Sequence, residues 1–190
     1  MHFTDDYLLS VRDLPRQPGS FDELYAQVTL PWENDLVKLS DPEPELHFMA
    51  QSVSDGVLLT INGELAWEGS CARCLQPAEG DFDLSATELF FYPEAAKAAE
   101  ANTKDVDIDP LPTVVDDQID IEAILRDEIM LALPMLPLCD EDCEGLCATC
   151  GEAWADLPAD HVHAEVDPRL AVLGQLLANQ ENEQSGESPA

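Results

Sequence analysis

Six cysteines and one histidine pair are the residues whose types and spacing could do chemistry in this chain. Cys71-x2-Cys74 stands far upstream of Cys139-x3-Cys143-x3-Cys147-x2-Cys150-Gly151, and His161-Val162-His163 follows. A Cys-x2-Cys turn lets two thiolates reach one tetrahedral zinc at about 2.3 Å each. Gly151 suits such a knuckle, where the residue after the second cysteine takes a left-handed backbone. Six cysteines and two histidines make eight ligands, enough for two closed four-coordinate sites. The preferred division is Cys71, Cys74, Cys139 and Cys143 for one, and Cys147, Cys150, His161 and His163 for the other. A single ribbon-like site from Cys71, Cys74, Cys147 and Cys150 is a competing division. A third uses the four cysteines of the later cluster and leaves Cys71 and Cys74 free. The expected cofactor is therefore structural Zn²⁺, one ion or two.

Rival chemistries fit less well. A redox Cys-x2-Cys wants its first thiol at a helix N-terminus, which lowers its pKa. Here Cys71 follows a strand pattern, and Pro77 lies three residues past Cys74. Buried, reduced thiols with no metal are the plain alternative, and His161 and His163 can equally be surface loop residues. No Gly-Lys-Ser/Thr phosphate loop occurs. Closed thiolate sites leave no open position for zinc hydrolysis, so no catalytic residue is assigned and no enzyme is expected.

The elements that must position these ligands read as α+β. After an irregular stretch over residues 1–20, Leu24, Ala26, Val28 and Leu30 alternate as a strand ending at Pro31. Residues 31–45 form an acidic, proline-bearing loop with a short strand over 36–39. An antiparallel meander or partial barrel follows: Leu46, Phe48 and Ala50 alternate, Asp55-Gly56 marks a turn, and Val57 to Ile61 leads through Asn62-Gly63 to Leu65-Ala66-Trp67. Phe82, Leu84 and Ala86 then alternate into Leu89 to Tyr92, with the Cys71–Cys74 segment at the hairpin turn. Residues 93–118, rich in alanine, acid and proline, read as a mobile acidic excursion. Asp120 caps a central helix carrying Ile121, Ile124, Leu125, Ile129 and Ala132, and Pro134 ends it. The metal knuckle spans 139–163. Asp167-Pro168 opens a last helix with Leu170, Leu173 and Leu177 on one stripe. The expected organisation is one α+β domain over 1–178 and a disordered acidic tail over 179–190.

Composition bounds the partners. The chain has 190 residues, 8 lysines and arginines against 40 aspartates and glutamates, and a formal charge of −32. Nucleic-acid affinity comes largely from cations that displace condensed counterions, so direct, high-affinity binding to nucleic acid is not expected. No apolar run is long enough for a membrane span. The N-terminus lacks the pattern of a secretory signal, so a cytoplasmic location is expected, where clustered cysteines more often hold metal than form disulfides.

At these residues the chain resembles the YceD family, the large ribosomal RNA subunit accumulation proteins. The resemblance rests on Cys71-Ala72-Arg73-Cys74-Leu75, on Ile119-Asp120-Ile121 leading into Glu128 to Pro134, on Cys139 to Gly151, and on Asp167 to Leu173. Arg12-Asp13-Leu14 and Pro18-Gly19 add to it. Family members often carry a further Cys-x-Cys after the knuckle, where this chain has His161-x-His163. The resemblance implies a non-enzymatic role in the synthesis, processing or stability of large-subunit (23S) ribosomal RNA. A polyanion in that role suggests basic partners, either ribosomal proteins or large-subunit precursor particles; the alternative is that the charge only gives solubility or adaptation to a salty cytoplasm. A thiol redox protein using Cys71 and Cys74, and a zinc-ribbon module serving transcription, are the alternative functions.

Overall fold

The computed structural model describes residues 1–102 and 110–163. The expected helix from Asp167 and the tail over 179–190 lie outside the described residues. The chain divides into two compact units, Met1–Cys143 and a second that begins at Glu144. That boundary falls inside the 139–163 segment.

In the first unit the strands are β1 (His2–Asp5), β2 (Leu8–Ser10), β3 (Phe21–Gln27), β4 (Val37–Leu39), β5 (Glu45–Ser52), β6 (Gly56–Ser70), β7 (Pro77–Phe91) and β8 (Gln118–Asp120). The helices are α1 (Pro93–Asn102) and α2 (Glu122–Ala132). All pairings between the strands are antiparallel. β6 organises the larger sheet. One edge bonds β5 from Val57 to Asn62 and then β4 from Trp67 to Gly69, while the other edge pairs with β7 from end to end. β3 closes the β5 side, and β1, β2 and β8 make a second, three-stranded sheet.

β5 shows why these residues form strands. Its side chains alternate between buried and half-buried, with Leu46, Phe48, Ala50 and Ser52 inward, as a strand period of two requires. Phe48, Leu59 and Ile61 share one fully buried cluster with Leu9, Ile119, Leu125 and Ile129. That cluster joins both sheets and α2, and the Phe3 ring meets Phe48 edge-on at 5.3 Å.

The structure corrects three sequence expectations. Residues 1–20 are not irregular, since they hold β1 and β2. Those strands are too short to show a pattern and depend on pairing with distant β8. The strand over 24–30 instead spans Phe21–Gln27. Val28 and Leu30 remain buried, but their amides donate to the carbonyls of Pro44 and Pro42. Proline has no N–H to return, so the ladder there is one-sided. β6 runs unbroken through Asn62-Gly63, as its pattern suggests, and Gly63 leaves space that the Leu46 side chain fills. The described residues of 93–118 carry regular structure: alanine-rich α1 starts at Pro93, and Phe91 exchanges backbone bonds with Pro112 and Val114. α2 ends as its sequence suggests but starts one residue later, at Glu122, after an Ile121 N-cap that makes no side-chain cap bond. Asp120 accepts the Glu122 amide at 3.0 Å, and extended Leu133 precedes Pro134.

Candidate metal centres

The first centre sits at the tip of the β6–β7 hairpin. Between Ser70 and Pro77 the chain makes a tight knuckle, in which Cys71 N–H donates to the Gln76 carbonyl (2.8 Å) and Leu75 N–H to the Cys71 carbonyl (3.0 Å). The Arg73 amide points at Cys71 Sγ, 3.4 Å away. The other two ligands come from the segment after α2. Asp140 builds a turn there, accepting the Asp142 amide on its carboxylate and the Cys143 amide on its carbonyl. Two contacts tie the segments together. Ala72 N–H donates to the Pro137 carbonyl at 2.8 Å, and the Arg73 guanidinium donates to the carbonyls of Cys143 (2.8 Å) and Glu141 (3.4 Å).

These constraints bring the sulfurs of Cys71, Cys74, Cys139 and Cys143 within 4.8 Å of one another. Cys74 and Cys139 are 3.5 Å apart, and Cys71 and Cys143 are 3.8 Å apart. Sulfurs at about 2.3 Å from a central zinc form a tetrahedron with edges of about 3.8 Å, so the donor set fits that ion. Cys71 and Cys74 are buried, whereas Cys139 is exposed.

The thiols are unequal. Burial works to raise Cys71, but the amides of Cys139, Cys74 and Arg73 outweigh it, and its pKa is lowered to about 6. Hydrogen bonding with the Cys74 and Cys143 thiols pushes Cys139 up to about 12. The set thus holds one ready thiolate beside protons that a cation would displace.

The second centre lies in the unit that begins at Glu144 and repeats the same knuckle. Cys147 N–H donates to the Glu152 carbonyl, and Gly151 N–H to the Cys147 carbonyl, both at 2.8 Å. Gly151 takes φ +77°, the left-handed backbone expected there. Leu146 and Ala153 pair as a bridge beneath the turn. The 3₁₀ turn Trp154–Asp156 sets the Trp154 ring edge-on to His161 at 5.5 Å. Cys150 Sγ lies 3.7 Å from His161 Nε2, and the two histidine Nε2 atoms lie 2.8 Å apart. The ligand atoms of Cys147, Cys150, His161 and His163 all fall within 4.8 Å of one another. The amides of Cys150 and Thr149 lower the Cys147 thiol to about 6, against the effect of burial. Two sulfurs and two imidazole nitrogens again suit tetrahedral zinc. The convergent sets are those of the preferred division. Arg73 holds local carbonyls, one of the roles its place inside the Cys-x2-Cys allowed, whereas sequence reasoning missed the left-handed Leu75, at φ +62°. The repeated Cys-x2-Cys spacing could have pointed to Leu75, since it occupies the position of Gly151.

The chain matches the family described as large ribosomal RNA subunit accumulation protein YceD over residues 59–177, a span that includes all eight candidate ligands. It belongs to the YceD family. An uncharacterized protein of Mycobacterium tuberculosis is 35% identical over 189 residues, 98% of this chain and 88% of the relative. A Mycobacterium leprae protein is 32% identical over 93% of this chain and 80% of its own length. Uncharacterized protein YlbN of Bacillus subtilis is 30% identical over 90% of this chain and 94% of its own length. No solved structure matches the chain significantly. No helix among the described residues is long and apolar enough to cross a membrane.

Proposed function

We propose that this YceD-family chain is a non-enzymatic accessory factor of large-subunit assembly. It supports the synthesis, processing or stability of 23S ribosomal RNA by engaging basic proteins, and structural zinc holds its shape. The observation that carries this reading is the family match joined to a formal charge of −32. A polyanion attracts basic ribosomal proteins over roughly 8 Å at physiological salt and is repelled by bare phosphate backbones. Five of the eight cations are engaged locally among the described residues. Arg12 and Arg16 flank Asp117, Lys38 meets Glu68, Arg126 meets Asp127, and Arg73 holds carbonyls. The lowered Cys71 thiol would also suit redox chemistry, but four sulfurs converging at tetrahedral spacing favour a metal.

The test compares binding to bare large-subunit RNA with binding to protein-containing precursor particles, at low and moderate salt. The expected result is preference for the particles, weakening as salt rises, together with a fall in large-subunit relative to small-subunit RNA when cells are depleted of the protein. Tight binding to bare RNA without preference for the particles overturns the reading.

A further inference from the structure

We propose that Leu75, Met135 and Leu136 form a docking surface beside the first metal centre, and that it takes a segment of a basic protein whose large apolar side chains are flanked by lysine or arginine. This rests on the preceding reading of the partner class and names the surface that would receive it.

Leu75 supplies the first observation. Its backbone is left-handed, at φ +62°, which costs a non-glycine residue roughly 1–2 kcal/mol. The other knuckle meets the same demand with Gly151. The leucine gains no burial in exchange, being 68% exposed. Strain held without packing points to a use for the side chain outside the fold. Leu131 is exposed too, but in ordinary helical backbone, and single exposed leucines need no explanation.

Met135 and Leu136 supply the second. They are 86% and 73% exposed and lie between Pro134 and Pro137. Each proline fixes its own φ and keeps the preceding residue extended. The segment is also tethered at both ends. Leu133 is buried with its amide on the Ile129 carbonyl, and the Pro137 carbonyl accepts the Ala72 amide from within the knuckle. That last bond brings the Met135–Leu136 segment to the hairpin tip that carries Leu75. The pair is therefore held between two fixed ends with both side chains exposed, and an apolar surface already held in place loses little entropy on binding.

The surroundings choose the occupant. Asp140, Glu141 and Asp142 follow on one side. On the other, Asn34 reaches the Pro134 carbonyl at 3.5 Å and brings its neighbours Glu33 and Asp35. Apolar side chains with an acidic rim complement apolar anchors between cations. A second copy of the chain would bring another charge of −32 to the same place, and anionic lipid or RNA would meet the same repulsion.

The experiment uses the full zinc-loaded chain and, as probe, the total protein of purified large ribosomal subunits stripped of RNA. The parent is compared with the triple variant Leu75→Gly, Met135→Ser, Leu136→Ser for retention of basic proteins. Zinc content, thermal midpoint and sedimentation of both chains are recorded alongside. The expected result is a tenfold or greater loss of affinity in the variant, with zinc content and thermal midpoint maintained. Equal retention by both chains overturns the docking surface and leaves the basic-partner reading standing. No retention by the parent overturns both. A parent dimer that the triple variant dissolves identifies a second copy as the occupant and overturns the proposal.

Discussion

Leu75 and Gly151 occupy the same place in two turns with the same backbone hydrogen bonds, yet only one is a glycine. Leu75→Gly removes the left-handed strain at a position without packing. Glycine's extra freedom in the unfolded chain takes back part of the gain, so the expected stabilisation is up to about 1 kcal/mol. Denaturant midpoints of the zinc-loaded chains check this, and a fall in stability would show that the exposed leucine packs in solution. Acidity should act on the ligands themselves. The Cys71 and Cys147 thiols are lowered from about 9 to about 6, so both are mainly thiolate at neutral pH and take up protons as pH falls through about 6. Protons then compete with the metal for the same sulfurs. Zinc occupancy at fixed free zinc should therefore fall as pH drops from 7 to 5, which a competing chromophoric chelator can follow. Occupancy unchanged over that range would contradict the thiolate assignment.

The long β6–β7 hairpin is the element that carries the first centre, and glycine decides where other strands can approach it. A Cβ on Gly69 would lie 2.2 Å from the Leu36 carbonyl oxygen, which is backbone and cannot swing aside. Gly69→Ala should cost about 1–3 kcal/mol, in the range of overpacked sites. It should also free the amides that pair β4 with β6, as thermal unfolding and hydrogen exchange over residues 37–39 would show; unchanged exchange there would place the glycine's role elsewhere. The same hairpin shows what sequence can and cannot reveal. The alternation in β5 and β7 was legible because one face of each strand is buried. The end of β3 was not, because Pro42 and Pro44 sit opposite it only after the chain has folded back. Each Cys-x2-Cys knuckle was legible because its geometry is local. The spacing left the division of ligands open, because the bonds that seat Cys139 and Cys143 beside Cys71 come from Ala72 and Arg73, far away in the chain. The strain at Leu75 could be read only from its place after the second cysteine of a repeated knuckle, since a leucine does not announce a positive φ as Gly151 does.

At the scale of the whole molecule, two donor sets lie in two compact units, so metal loading should be separable. The parent should carry two zinc equivalents by elemental analysis, and Cys74→Ser and Cys150→Ser about one each. A chain that loses both ions on a single substitution would make the centres one cooperative site. The two losses should nevertheless differ in reach. In the second unit the ligands run from Cys147 to His163, so its ion closes a short loop. In the first, Cys74 and Cys139 are 65 residues apart, and the loop between them contains the whole of β7, α1, β8 and α2. Closing a loop of that length with a covalent link restricts the unfolded chain by roughly 4 kcal/mol. A metal held by four thiolates acts as a comparable link whose binding energy is added to folding. Cys74→Ser should therefore raise hydrogen exchange along the β6–β7 tip, in β4 and over residues 137–143, and lower the thermal midpoint of the first unit. Cys150→Ser should raise exchange over 144–163 and leave β6 and β7 protected. Exchange that rises over 144–163 alone in both variants would mean that the four sulfurs of the first centre hold no metal in solution.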